Sequence, residues 1–313
     1  MWKTIRRQHI NLVLESGGAK TVSQLGAIQV LYANNYRFRR ISGTSGGAIV
    51  GAFMAAGMTA EEAILKLETI DLTEFAGTIK PEGRTWIGAG IEMIRNNRLN
   101  DGETLERWLE IELEALGVKT FADLKLSRWR HRRIPAEQRY KLVVMTTDLQ
   151  SRETIRLPWD YHKLGLDPDT QSVARAVRAS ASVPFFYQPA PIGDRLLIDG
   201  VITAPYPIDI FKSDSIPTIG MMVSDQDRRA RPLLGSMDQP VKLTRKFLKI
   251  RDADILKLDK QNHEQVNKTL FLNTIGVHEL NFMLDRQTQN ALITSGRSEA
   301  IAYLRRHGNR IPR

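Results

Sequence analysis

The 313 residues of this chain include no cysteine. That absence excludes disulfide bonds, thiol nucleophiles and cysteine-based metal sites, and it fits a reducing compartment. The sequence also contains no H-E-x-x-H pattern, which on a helix would offer two histidines to a zinc ion. We therefore expect chemistry that requires no metal.

Long hydrophobic runs are missing as well. The longest apolar stretch, residues 46–58 (GGAIVGAFMAAGM), is shorter than the ~20 residues that a membrane-spanning helix needs. The first nine residues are polar, and the apolar run after them is too short for the core of a signal peptide. We expect a cytoplasmic protein that is at most peripheral to a membrane. Residues 84–98, apolar with basic flanks, are a candidate lid or membrane-contact element, with a plain core helix as the alternative.

Acidic residues are in deficit, with 35 Asp and Glu against 45 Lys and Arg, so the net charge is +10. Such a charge indicates partners that carry phosphate, which are nucleic acids or anionic lipid surfaces. The most concentrated basic run is residues 128–133 (RWRHRR), which is also compatible with a solvated loop. Because no nucleic-acid-binding motif accompanies the charge, we expect no nucleic acid partner and favour an anionic membrane surface.

The N-terminal part repeats the order strand, turn, helix. A short apolar strand at residues 10–15 ends at glycines and precedes a helix at 22–34; a second strand at 39–42 leads through a turn at 43–47 into the apolar stretch. This order predicts an α/β fold with a mainly parallel sheet. Further helices are predicted at 59–69, 103–116, 170–179, 241–258 and 288–306, and further strands at 140–146, 195–198, 218–223 and 269–272. With no repeat or linker, we predict a single domain over residues 1–313.

The turn between the second strand and its helix reads Gly43-Thr44-Ser45-Gly46-Gly47, which matches G-x-S-x-G. In a tight strand-to-helix turn, small residues on both sides expose the serine at the end of the sheet, beside the N–H groups that begin the helix. The pattern therefore predicts a nucleophilic serine. The alternative is an ordinary glycine turn in which Ser45 only caps the helix.

Three other segments accompany this serine. The loop Ser16-Gly17-Gly18-Ala19 follows the first strand, and parallel strands bring their carboxyl ends to one edge, so its backbone N–H groups could bind an oxyanion near Ser45. Asp199-Gly200 directly follows a predicted strand and supplies a carboxylate at its end. Residues 179–191 (ASASVPFFYQPAP) form an apolar, proline-rich loop suited to lining an acyl site or to simple core packing.

Together these segments resemble the patatin-like phospholipases, over about Asn11 to about Phe211. The resemblance implies a three-layer α/β/α fold, with a family-like core at about residues 10–211 and an α-rich C-terminal extension at about 212–313. It implies a lipid acyl hydrolase that acts on phospholipids or lysophospholipids without a cofactor. The roles implied are nucleophile for Ser45, base for Asp199, oxyanion hole for Gly17, Gly18 and Ala19, and motif support for Ser16, Lys20, Gly43, Gly47 and Gly200.

The sequence departs from the family pattern at three positions. Ser16 and Thr21 stand where the oxyanion loop of the family has glycine, and Val201 follows Asp199-Gly200 where a glycine or alanine is usual. A positive φ at Ser16 or Thr21 would strain the backbone. A catalytically weakened interaction protein with the same fold is therefore an alternative function.

Two further alternatives concern the chemistry. The residues that precede Lys20-Thr21 lack both glycines that a P-loop needs, so the sequence argues against nucleotide binding. An esterase triad would need a histidine besides Ser45 and Asp199, and the candidates are His263, His278 and His307. A Ser–Asp dyad would instead rely on a carboxylate with an ordinary pKa near 3.9, which is ionised at neutral pH but weakly basic.

Overall fold

The structure, a computed structural model, describes residues 7–69, 100–127, 133–224, 238–277, 284–308 and 311–312. The candidate lid at residues 84–98 lies outside this part of the chain, as do His278 and the basic run except for Arg133.

The described residues form a single eight-stranded sheet. Its strands are β1 (Gln8–Leu14), β2 (Tyr36–Thr44), β3 (Leu142–Asp148), β4 (Thr154–Leu157), β5 (Ala190–Ile192), β6 (Arg195–Asp199), β7 (Thr218–Ser224) and β8 (Thr269–Asn273). They lie in the order β5-β6-β3-β2-β1-β7-β8, with β4 also paired to β3. The run from β3 through β8 is parallel, whereas β4, β5 and β6 join with antiparallel pairing. The predicted α/β fold with a mainly parallel sheet is confirmed.

Helices flank this sheet. In the described residues they are α1 (Val22–Ala33), α2 (Gly46–Ala56), α3 (Ala60–Thr69), α4 (Glu103–Glu114), α5 (Val173–Ser180), α6 (Asp238–Phe247), α7 (His263–Asn267) and α8 (Arg286–Arg306). Helix α3 begins as its sequence predicts, because Thr59 and Glu62 form a reciprocal capping box. The helix predicted at 241–258 is wrong beyond its first turns: α6 ends at Phe247, and Lys249 has a left-handed φ of 54°.

The central strands are buried on both faces, as parallel strands covered by helices must be. In β1 every residue from Ile10 to Leu14 is buried, and in β3 the whole strand is buried. This burial explains why both strands are continuous apolar runs in the sequence rather than alternating ones. Helix α2, apolar nearly all round, packs against β2 and is buried for the same reason.

The C-terminal third of the chain completes this sheet. Strand β7 pairs with β1, and β8 pairs with β7, so both extend the parallel part of the sheet. Helix α8 packs along α1, and the two helices approach closely at Gly26 and Gly296. One hydrophobic cluster accordingly includes residues from both ends of the chain, from Ile10 to Ile311.

The antiparallel strand β6 reaches the carboxyl edge of the parallel strands from outside. On the β3 side its pairing is confined to the last residues of β3, with Asp199 opposite Thr146 and Leu197 opposite Asp148. The β3 residue that pairs with the end of β2 is Met145, opposite Thr44. The last residue of β6 therefore arrives at the level of Ser45, although β6 runs in the opposite direction to β2.

Candidate active site

Ser45 occupies the turn between β2 and α2 in an unusual backbone conformation, with φ 54° and ψ −126°. Non-glycine residues adopt such angles rarely and at a cost, and they persist where the surrounding structure enforces them. The turn is tight enough that a Cβ on Gly43 would lie 2.3 Å from the carbonyl oxygen of Gly47. The two glycines are therefore required by the close approach of strand and helix.

The side chain of Ser45 points to Asp199, and its Oγ donates a hydrogen bond of 2.7 Å to Oδ2 of the aspartate. The hydroxyl makes no capping hydrogen bond to α2, so the alternative in which Ser45 only caps the helix is wrong. Ser45 is 3% exposed and Asp199 is fully buried. The pair thus lies in surroundings of low polarity, where electrostatic interactions are strong.

The backbone N–H of Ser45 is held by a second serine. Ser180, the last residue of α5, accepts this N–H at Oγ (2.9 Å) and donates its own proton to the carbonyl of Met145 (2.7 Å). Ser180 is fully buried. The sequence contains it within the apolar loop at 179–191, but its contact with residue 45 joins positions 135 apart and could not be inferred from spacing.

Asp199 accepts a second hydrogen bond at Oδ1, from the N–H of Val201 (2.8 Å). Burial raises the pKa of Asp199 to about 7, and the hydrogen bonds from Val201 and Ser45 oppose that rise. The expectation of a carboxylate that is always ionised at neutral pH is therefore corrected. The raised pKa makes Asp199 a stronger base than an ordinary aspartate, which favours proton transfer from a hydroxyl.

Neighbouring segments fix the backbone on either side of the carboxylate. The N–H of Asp199 donates to the carbonyl of Ser182 (3.0 Å), and the Thr147 hydroxyl donates to the carbonyl of Asp199 (3.2 Å). The chain then turns against β3, where a Cβ on Gly200 would lie 2.3 Å from the Met145 carbonyl oxygen. Only glycine permits this approach, which explains the Asp-Gly pair in the sequence.

The glycine-rich loop after β1 lies beside the serine turn. A Cβ on Gly46 would be 2.9 Å from the Gly18 carbonyl oxygen, so the loop contacts the residue that follows Ser45. Gly17 is extended, with φ 178°, and Gly18 is left-handed, with φ 51°. Within the described chain, the N–H groups of Gly17, Gly18 and Ala19 donate to no protein acceptor.

The two departures in this loop are accommodated without strain. Thr21 has a helical φ of −63°, and its hydroxyl donates to the Gly18 carbonyl (2.7 Å), which closes the turn. Ser16 is absent from the described non-glycine residues with positive φ, and its N–H donates to the Pro205 carbonyl (3.1 Å). Neither residue therefore has the positive φ that would strain the backbone.

Lys20 and Glu15, which flank the loop, both contact neighbouring parts of the protein. Lys20 is 4% exposed, and its backbone N–H donates to the Gly17 carbonyl (3.0 Å). The Glu15 carboxylate accepts the N–H of Val223 in β7 (2.7 Å), which anchors it to the neighbouring strand.

The described histidines offer no third member of a triad. His307 follows α8, and its Nδ1 lies 2.9 Å from the Tyr303 carbonyl oxygen, while His263 begins α7. His278 lies outside the described residues. The hydrogen bonds to the Asp199 carboxylate come from Ser45 and Val201, so the structure favours a dyad over a Ser–His–Asp triad.

The apolar loop at 179–191 packs largely into the protein. Phe186 and Tyr187 are buried, whereas Phe185 is half-buried and left-handed, with φ 73°. The loop is tied to Asn100, whose N–H donates to the Phe186 carbonyl and whose carbonyl accepts the N–H of Gln188.

The described residues contain neither a cluster of metal ligands nor a membrane-spanning helix. Across the described residues, no three His, Asp or Glu side chains are grouped as metal ligands would be. In the same residues, none of the helices has the length and hydropathy that crossing a bilayer requires.

Comparison with known proteins identifies the family. Residues 12–212 match the family model described as patatin-like phospholipase. The chain belongs to the patatin-like phospholipase family. It is also 30% identical over 306 residues to YqhO, an uncharacterised protein of Bacillus subtilis, with 95% of this chain and 98% of YqhO covered. A weaker match, 26% identical over 224 residues, is the uncharacterised protein R571 of Acanthamoeba polyphaga mimivirus, covering 69% of this chain and 66% of R571.

Solved structures share the fold of this patatin-like chain. VipD from Legionella pneumophila aligns with 96% of the chain at a TM-score of 0.55 and 18% identity. ExoU, in its complex with SpcU from Pseudomonas aeruginosa, aligns with 96% of the chain at a TM-score of 0.51 and 18% identity. The alignments span 67% of VipD and 52% of ExoU, so these neighbours inform the fold alone.

Proposed function

We propose that this patatin-like protein is a lipid acyl hydrolase that cleaves carboxylic ester bonds of phospholipids or lysophospholipids. The observation that carries the proposal is the 2.7 Å hydrogen bond from Ser45 Oγ to Asp199, next to a loop whose N–H groups at residues 17–19 have no acceptor among the described residues. The lipid class of the substrate is inferred from family membership.

In the first step, ionised Asp199 takes the proton of Ser45 as the serine oxygen attacks the ester carbonyl. The negative charge that develops on the carbonyl oxygen would be bound by N–H groups of Gly17, Gly18 and Ala19, supported by the N-terminus of α2. The N–H of Ser45 itself is not available for this task, because Ser180 accepts it. The oxyanion donors must therefore come from the neighbouring loop and from residues after Ser45.

The C–O bond to the alcohol then breaks, and protonated Asp199 returns its proton to the leaving alkoxide. This leaves the acyl group on Ser45. A water molecule attacks the acyl carbonyl while Asp199 accepts one of its protons, and collapse releases a fatty acid and restores Ser45. An aspartate whose pKa is raised to about 7 by burial is suited to both directions of transfer near neutral pH.

The substrate surface is the second part of the proposal. The net charge of +10 supports binding to anionic membranes. We therefore expect faster hydrolysis on vesicles that contain an anionic phospholipid than on vesicles of phosphatidylcholine alone, and we expect added salt to reduce the difference.

Fatty acid release from mixed phospholipid vesicles tests the function, with wild type, Ser45→Ala and Asp199→Asn compared. We expect release by the wild type and a fall of at least about 10³-fold in each variant. A fluorophosphonate probe should label the wild type and not Ser45→Ala. Equal release from all three proteins would exclude the mechanism, and a folded wild type that neither releases fatty acid nor reacts with the probe would support an interaction protein instead.

A further inference from the structure

Helix α6 lies outside the stretch that matches the family model, yet it packs on the aspartate side of the dyad. Residues 12–212 form the match, whereas α6 covers Asp238–Phe247. Its Val241, together with Leu248 just beyond its end, joins a small buried cluster with Ile198 and Ile202, which precede and follow Asp199. The helix therefore covers the segment that carries the candidate base.

A charged side chain lies on this apolar face. Arg245 stands four residues after Val241 and three before Leu248, which places all three on one side of the helix. Its Nε donates to the Ile202 carbonyl (2.8 Å) and its Nη2 to the Val201 carbonyl (2.6 Å). A guanidinium that binds two successive carbonyls holds both peptides with strong, charge-assisted hydrogen bonds.

The turn held in this way also holds the carboxylate. Residues 200–202 form a single helical turn directly after Asp199, and the N–H of Val201 donates to Asp199 Oδ1. The other carboxylate oxygen accepts the Ser45 hydroxyl. A displacement of the turn would thus remove one of the two hydrogen bonds that orient Asp199 toward Ser45.

We propose that Arg245 is a positioning residue for Asp199, so that a helix beyond the family-matched region forms part of the active site. This inference rests on the proposed function for its catalytic readout. Its structural content is that the two Arg245 hydrogen bonds keep the N–H of Val201 directed at the carboxylate, which an apolar helix contact alone would not do.

Charged groups on the elements packed against the Asp199 segment have partners of their own. On β6 and β3, Arg195 and Asp148 pair with each other, and on α5 the Arg178 guanidinium donates to the Asp101 carbonyl. The N–H of Val201 lowers the pKa of Asp199 against the larger effect of burial. Loss of Arg245 would weaken that hydrogen bond, and the weaker hydrogen bond would raise the pKa of Asp199.

The test compares Arg245→Gln with Arg251→Gln, which removes the same charge from the same part of the chain. Arg251 is 80% exposed and pairs with Asp254, so its replacement should leave the dyad unchanged. Activity on a soluble p-nitrophenyl ester is measured from pH 5 to pH 9. We expect Arg245→Gln to lower kcat about tenfold at pH 7 with KM unchanged, and to move half-maximal kcat upward by about one pH unit. Arg251→Gln should follow the wild type in both.

A second readout does not depend on turnover. The pH dependence of the free energy of unfolding reports the pKa of Asp199 in each protein, after subtraction of the same curve for Asp199→Asn. A raised pKa in Arg245→Gln would support the inference even if the wild type hydrolysed no ester, which separates this proposal from the proposed function. An unchanged pKa and an unchanged pH profile in folded Arg245→Gln would overturn it.

Arg245→Lys provides a second test in case the glutamine variant does not fold. Lysine keeps the charge but cannot bind two carbonyls with a planar fork, so we expect a smaller shift in the same direction. If both variants fail to fold, Arg245 is a residue of general stability and the positioning role is excluded.

Discussion

The two members of the candidate dyad are built in different ways. Ser45 sits in one continuous stretch of strand, turn and helix, and its unusual feature is its backbone, with φ 54° and ψ −126°. Asp199 has an ordinary extended backbone, with φ −51° and ψ 132°, and its unusual feature is electrostatic, because it is a fully buried carboxyl group. Ser45 therefore has a strained backbone, and Asp199 bears the free-energy cost of a buried charge.

The origin of the supporting contacts differs as well. The turn at Ser45 is shaped mainly by the glycines around it, with distant hydrogen bonds from Thr44 to the Ala204 carbonyl and from Ser45 to Ser180. Asp199 depends on β3, on the loop at Ser182 and on α6, which are far apart in the sequence. The surroundings of Ser45 are mostly close to it in the sequence, whereas those of Asp199 are distant. Substitutions far from both residues in the sequence should therefore affect mainly Asp199.

Asp199→Asn has the largest expected effect on stability. Below pH 3.8 the carboxyl is protonated in both states; between 3.8 and about 7 the unfolded chain loses the proton while the folded chain keeps it. The free energy of unfolding of the wild type therefore falls by about 4 kcal/mol through this pH window, as this difference in pKa requires, and it stays at the lower value above the window. We expect the free energy of unfolding of Asp199→Asn, relative to wild type, to rise by about that amount from pH 4 to pH 8 in urea denaturation.

Ser45→Ala is the matched control for that measurement, since it also removes one member of the dyad. It keeps Asp199 and removes a hydrogen bond that lowers the pKa of this group. Its stability should consequently fall with pH at least as steeply as that of the wild type. Parallel curves for all three proteins would show that Asp199 is not the buried charge described here.

Ser180→Ala should have a smaller effect than Asp199→Asn, and this effect should be on the turn at Ser45. The variant leaves the N–H of Ser45 buried without its acceptor, at a cost of about 1–3 kcal/mol, and frees the strained turn. We expect labelling of Ser45 by a fluorophosphonate to slow about tenfold. Ser182→Ala is the control, because Ser182 is equally buried but its hydroxyl donates to the Arg178 carbonyl. Equal slowing in both variants would show a general loss of packing.

Much of the serine side could be predicted from the sequence, because its signals lie within a few residues of one another. The turn at 43–47, its flanking strand and helix, and the glycine loop after β1 all depend on local geometry. The pairing of Ser45 with Asp199, 154 residues apart, was inferred from family resemblance and not from spacing. The antiparallel course of β6 and the contacts of Ser180 and Arg245 could not be predicted, since each depends on tertiary packing between distant segments.

Thr21→Val has the smallest expected effect, and it tests the glycine-rich loop that departs from the family pattern. The hydroxyl of Thr21 closes the turn on the Gly18 carbonyl, and valine keeps the shape of the side chain without this hydrogen bond. A hydrogen bond of this kind contributes about 0.5–1.5 kcal/mol, so we expect kcat to fall about threefold with little change in the midpoint of thermal unfolding. Thr21→Ser keeps the hydroxyl and should retain wild-type kcat. If valine and serine behave alike, the turn is held by the backbone alone, and the departure at residue 21 has no consequence for the oxyanion loop.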